Sequence, residues 1–104
     1  MAAYMIILAK VHDREKFLAG YATAAAKLVD KCGGKYILRA PGAECLEGSV
    51  GDGQSVVMSE WPDMATARAF WDSPEYQEIK KLRDGICDVE VVLVEAPPIG
   101  GLES

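Results

Sequence analysis

The sequence predicts an α+β fold: a four-stranded antiparallel sheet with two helices on one of its faces. Three observations carry that reading. Strand-like and helix-like segments follow one another as strand, helix, strand, strand, helix, strand. A glycine-rich stretch, Gly48 to Gly53, falls between the two middle strands, where a hairpin loop belongs. The chain has 104 residues, 50% of them hydrophobic, which fits one core and leaves no room for two.

Each element has its own signal. Tyr4 to Val11 is aliphatic and rich in β-formers, a buried strand. Asp13 is placed to cap a helix, with Glu15 favourable in its first turn. Phe17, Tyr21, Ala24, Leu28 and Cys32 then form one apolar stripe, and Gly33-Gly34 ends the helix. Lys35 to Ala40 is the second strand. Pro41-Gly42 interrupts it as a bulge or kink, with the strand expected to resume over Ala43 to Leu46. Gln54 to Trp61 is the third strand.

Pro62-Asp63 opens a second helical region whose inward face carries Met64, Ala67, Phe70 and Trp71. Ser73-Pro74-Glu75 is a fresh start signal, so a break is expected near Asp72. Asp88 to Glu95 is the last strand. One domain is expected over residues 1–96, followed by a Pro/Gly-rich tail over 97–104. This order is the ferredoxin-like βαββαβ plan. In all four strands both alternating faces are largely apolar, whereas a sheet with one wet face should alternate. The face without helices is therefore expected to meet a partner, and a second copy is the economical one.

Charge and cysteines exclude several classes. The formal net charge is -5, so nucleic acid and anionic membranes are poor partners. The longest apolar run, Met5 to Ala9, is far shorter than the ~20 residues of a membrane span. No basic stretch precedes it, so no signal peptide is expected. Cys32, Cys45 and Cys87 are odd in number and widely spaced, and the single histidine, His12, has no cysteine near it in sequence. Neither a zinc site nor a disulfide framework is expected, and reduced thiols fit a cytoplasmic protein. The Gly48–Gly53 loop lacks the lysine and following helix of a phosphate cradle.

Several strings together resemble the bacterial family catalogued as domain of unknown function 1330. They are Cys32-Gly33-Gly34-Lys35-Tyr36 with Arg39, Leu46-Glu47-Gly48, Ser59-Glu60-Trp61-Pro62, Ser73-Pro74-Glu75-Tyr76-Gln77 with Arg83, and Val92-Leu93-Val94-Glu95. The likeness runs from about Tyr4 to Glu95. It implies a dimeric α+β barrel, in which two such sheets pack face to face. It also implies a ligand cavity inside each subunit, between sheet and helices. It supplies no reaction. The wider superfamily includes cofactor-independent monooxygenases, isomerases, haem-degrading enzymes and stress-response proteins, and fold analogy over so mixed a group decides little.

The polar residues expected near that cavity are Tyr21, Arg39, Glu60, Tyr76 and Arg83, with Trp61, Phe70 and Trp71 as aromatic walls or core. Arg39, between Leu38 and Ala40, needs a carboxylate or an anionic ligand. Two readings stay open for it: an ion pair with Glu60 or Glu47, or a ligand anchor. Glu60 is a base candidate if burial raises its pKa, and otherwise an ion-pair partner. Tyr21 and Tyr76 either pack with their hydroxyls bonded or orient a ligand. His12 is either an acid–base group or a loop histidine bonded to the helix start. Lys80, Lys81 and Arg83 read as a solvated helix face. A haem finds no convincing axial ligand, because His12 precedes the helix. No cofactor or metal is expected.

The function expected is binding of a small apolar or aromatic molecule, with or without an anionic group, with Arg39, Tyr21, Tyr76 and Trp71 as its contacts. Any catalysis would be cofactor-independent oxygenation or proton-transfer isomerisation. The alternative is a non-catalytic dimeric binding or stress-associated module.

Overall fold

The computed structural model describes residues 1–97; the expected tail falls almost wholly outside them. The strands are β1 (Ala3–Val11), β2 (Lys35–Ala40), β3 (Ser55–Trp61) and β4 (Cys87–Glu95). They form one sheet in the order β2-β3-β1-β4, every pair antiparallel. The helices are α1 (Arg14–Phe17), α2 (Thr23–Lys31), α3 (Met64–Asp72) and α4 (Pro74–Lys80). This is the ferredoxin-like α+β fold. All the helices lie on one face of the sheet, and the molecule is only 16 Å through its thinnest direction.

The caps are those the side chains can make. Asp13 Oδ1 accepts from the Lys16 amide at 3.1 Å, and Asp63 Oδ1 accepts from the Thr66 amide at 2.7 Å. Ser73 serves two helices. Its hydroxyl donates to the Phe70 carbonyl, closing α3, and accepts from the Tyr76 amide, opening α4, with Pro74 at the first helical position. Gly33 and Gly34 end α2 with amides returned to Asp30 and Val29, Gly33 standing at a φ of 95° that favours glycine.

The first helical region is not the continuous helix expected. Between α1 and α2 the chain widens into a π-helical segment, Leu18–Ala22. Thr23 donates its hydroxyl to the Leu18 carbonyl at 2.8 Å, occupying an acceptor within the widened turn. The inward positions that follow are Ala25, Leu28 and Val29, so the stripe passes through Ala25, not Ala24.

The second strand also departs from expectation. Tyr36 pairs with Ser59 and Leu38 with Met58, so β2 advances two residues while β3 advances one. The bulge therefore sits at Ile37, not at Pro41-Gly42. No strand resumes over 43–46; one short backbone ladder, Ala43 with Gln54 and Gly53, closes the base of the loop.

The core lies between the sheet and α2–α4, around Trp61, Phe70, Tyr76, Met5 and Leu28. Trp61 is 1% exposed; its ring packs on Phe70 at 4.9 Å and its Nε1 donates to Ser59 Oγ at 2.9 Å. The other sheet face stays open, apolar at its centre and charged at Lys35, Glu60, Asp88 and Glu90. Ile6, Leu8, Val56 and Met58 are half-buried there, and Val92 is 54% exposed. Gly34 lies against the Trp61 ring so closely that an added Cβ would come within 2.7 Å of it. Gly34→Ala should therefore lose about 1–3 kcal/mol by overpacking. Urea denaturation checks this, and a variant as stable as the parent would show that the contact yields freely.

Candidate functional site

A cavity of about 250 Å³ opens between the sheet and the first helical region. Its floor is built from short side chains. Ala9 of β1 pairs with Ser55 on one side and Val89 on the other, and the next row back is Val57 and Ile7. Its roof is Phe17, Leu18, Tyr21 and Ala22, so the π-helical segment forms most of it. π-helical turns recur at functional sites, where the widened turn re-aims side chains. Small residues below and a widened turn above leave the space.

Arg39 reaches this cavity because of the bulge. Cross-strand partners share a face, and Tyr36 and Arg39 pair with Ser59 and Val57, both on the helix-covered side. In an unbroken strand, residues three apart point to opposite faces. The extra residue at Ile37 turns Arg39 inward beside Tyr36, with its guanidinium carbon 5.5 Å from the Tyr36 ring centroid. Arg14 joins Arg39 on the rim. Neither arginine has a salt bridge among the described residues. Among those residues the lining holds two arginines and no carboxylate, imidazole or thiol, although the chain as a whole carries -5.

Tyr21 lines the cavity, and its hydroxyl lies 2.7 Å from that of Tyr76, which is 2% exposed. The Arg83 guanidinium carbon stands 5.4 Å from the Tyr21 ring centroid. Burial, chiefly, pushes the Tyr21 phenol far above its ordinary value, with Tyr76 adding to the shift. Burial likewise raises Tyr36, and the nearby Arg39 offsets part of that rise. Both phenols are neutral hydrogen-bond donors at neutral pH.

The other expected site residues lie elsewhere. Glu60 pairs with Tyr4 across the sheet and faces the open side, because its neighbour Trp61 goes to the core. There it accepts from the Tyr4 hydroxyl at 3.1 Å and from Lys35 Nζ at 3.2 Å, so it neither reaches the cavity nor pairs with Arg39. His12 is bonded to Asp88 of β4 at 2.8 Å, not to the start of α1, and lies outside the lining. Trp71 packs on Tyr76 at 5.1 Å and under Lys80 Nζ at 4.9 Å, bordering two recesses over β4 of about 400 and 220 Å³. Arg83 borders one of those recesses and touches the site only through the Tyr21 ring. The three cysteines are free and half-buried, and burial raises the Cys87 thiol. Among the described residues, no group of histidine, cysteine and carboxylate side chains could hold a metal ion.

Arg14 and Tyr36 belong to the site without having stood out as candidates. Arg14 had a signal: a cation in the first turn of a helix opposes the helix dipole, so its presence calls for another reason. Tyr36 stood only in the string Cys32-Gly33-Gly34-Lys35-Tyr36 that carries the family resemblance, and its place beside Arg39 depends on the bulge.

Fold and cavity together define a ferredoxin-like α+β protein with an arginine-rimmed apolar pocket under its first helical region. The chain belongs to the family described as Domain of unknown function (DUF1330), whose model matches residues 2–97. Among solved structures it is similar to RPA0582, a protein of unknown function from Rhodopseudomonas palustris: TM-score 0.76, 18% identity, covering 93% of this chain and 83% of that one. It is similar to a dimeric ferredoxin-like protein of unknown function from Jannaschia sp. CCS1: TM-score 0.70, 13% identity, 92% and 100% covered. It is also similar to SnoaB, a cofactor-independent oxygenase from Streptomyces nogalater: TM-score 0.68, 15% identity, 93% and 94% covered. No curated protein matches the chain.

The raised phenols fix a pH dependence. Above the ordinary phenol value of 10.0, the unfolded chain loses protons that folded Tyr21 and Tyr36 keep. The unfolded state then binds fewer protons, so stability falls as pH rises. Their contribution should be level below about pH 10 and decline above it. Spectrophotometric titration should show their phenolate absorbance arriving with unfolding. Complete ionisation of all four tyrosines near pH 10 in the folded protein would contradict the burial of this site.

Proposed function

We propose that this chain forms a homodimer through its open sheet face and that each subunit binds a small apolar anion in the cavity under the first helical region. The observation that carries the binding half is the charge reversal: an acidic protein lines one apolar cavity with two arginines and no acid among the described residues. Guanidinium groups hold carboxylates and similar oxyanions through charge-assisted hydrogen bonds. At about 250 Å³, the cavity falls just below the range of drug-sized pockets, so its occupant is small, of one or two rings. The apolar centre of the open face supports the dimer, as does the likeness to the dimeric Jannaschia protein. Three free thiols fit a reducing compartment, and among the described residues no helix is long and apolar enough to cross a membrane.

Proton-transfer isomerisation lacks a base in this cavity, since the described lining holds no carboxylate, imidazole or thiol. Oxygenation of a ligand that arrives already ionised needs no such base. The likeness of fold to SnoaB supports that as a second reading of the same site. Binding is the part common to both readings.

Calorimetric titration with 2-naphthoate tests the site. Arg39→Gln should weaken binding by at least about tenfold, the value of a hydrogen bond to a charged group. Its melting temperature should move by less than about 3 °C, because Arg39 is exposed and unpaired among the described residues. Unchanged affinity with lost stability would make Arg39 a structural residue. Sedimentation equilibrium tests the assembly: the expected species is twice 11.2 kDa, and Val92→Glu on the open face should shift it towards monomer. A wild-type monomer at micromolar concentration would remove the dimer.

A further inference from the structure

The Tyr21–Tyr76 pair holds two hydroxyl protons and uses one. Tyr76 is 2% exposed, and among the described residues its hydroxyl is partnered by the Tyr21 oxygen. The 2.7 Å contact fits either hydroxyl as donor, and satisfying the more deeply buried one assigns the Tyr76 proton to Tyr21. Tyr21 then accepts from Tyr76, and its own proton is left without a protein acceptor. Tyr21, unlike Tyr76, lines the cavity. Arg83 strengthens that donor, because a guanidinium over the ring draws electron density from the phenol. A neutral phenol whose oxygen is held by a buried partner is a positioned hydrogen-bond donor.

We infer that the ligand of this cavity carries, besides the acidic group held at the arginine rim, a carbonyl or hydroxyl oxygen that accepts the Tyr21 proton. The class is a hydroxy- or oxo-substituted ring acid. This rests on the cavity being the anion site proposed above, and it adds a second polar contact that a plain apolar acid leaves unmade. Tyr21 makes the contact and Tyr76 is a positioning residue.

Calorimetric titration with 2-naphthoate and a set of its ring-hydroxylated isomers separates the two ideas. At least one hydroxylated isomer should bind wild type about fivefold tighter than 2-naphthoate, the worth of one neutral hydrogen bond. The Tyr21→Phe/Tyr76→Phe double variant removes both hydroxyls together and leaves neither one orphaned. In it the preference, read as the ratio of the two affinities in the same variant, should drop below about twofold. Tyr21→Phe alone should give the same loss and serves if the double variant does not fold. Arg39→Gln should weaken both kinds of ligand alike and keep their ratio. No gain for any isomer in wild type, or a gain that survives without both hydroxyls, overturns this inference and leaves the anion site standing. If 2-naphthoate itself fails to bind wild type, the anion site falls and takes this inference with it.

Discussion

The contact of Gly34 with the Trp61 ring ties the two layers together. Trp61 ends β3 and is the largest fully buried side chain, while Gly34 joins the end of α2 to the start of β2. Because no side chain stands at Gly34, the backbone lies directly on the indole. The same ring meets Phe70 of α3, and its Nε1 is satisfied by Ser59 on its own strand. One residue thus sets the height of β2, the end of α2 and the seat of α3. The aromatic chain continues from Phe70 to Tyr76 at 4.7 Å, and from Tyr76 to the Tyr21 hydroxyl that borders the cavity. Core and site are parts of one packed series.

The cavity itself is a local failure of close packing, arranged by three departures from regular geometry. The π-helical segment widens the roof, the row Ser55–Ala9–Val89 keeps the floor low, and the bulge at Ile37 turns Arg39 under the roof. Filling such a space with larger side chains would have gained dispersion contacts. Two cations that no described carboxylate pairs stand at this space, as the proposed anion site requires.

Element positions were legible in the sequence wherever a side chain or a backbone residue determines them. Asp13, Asp63 and Ser73 cap because their oxygens reach amides three residues on, and Gly33-Gly34 stops α2 because glycine accepts the turn. Glu60 was expected near the cavity, although a strand that ends with a core tryptophan turns the preceding residue outward. The two irregularities that make the site were not legible. A one-residue bulge in Lys35-Tyr36-Ile37-Leu38-Arg39-Ala40 leaves no mark in composition, and the visible cue, Pro41-Gly42, points to the wrong place. Leu18 to Ala22 likewise reads as ordinary helix, since a π-helical turn differs in hydrogen bonding and not in residue type. Arg39 could be singled out as a charge in need of a partner, but its face depends on Ile37.

Charge reversal inside the cavity is the claim on which the functional account stands, and the arginine side chains report it directly. The chain has four arginines: Arg14, Arg39, Arg68 and Arg83. The side-chain Nε–H resonances of the nitrogen-15-labelled protein should therefore be assignable one by one by substitution. On titration with 2-naphthoate, those of Arg14 and Arg39 should move together and saturate, while that of Arg68, away from the cavity, stays in place. A spectrum in which Arg39 does not respond, or in which Arg68 responds and Arg39 does not, would contradict the account.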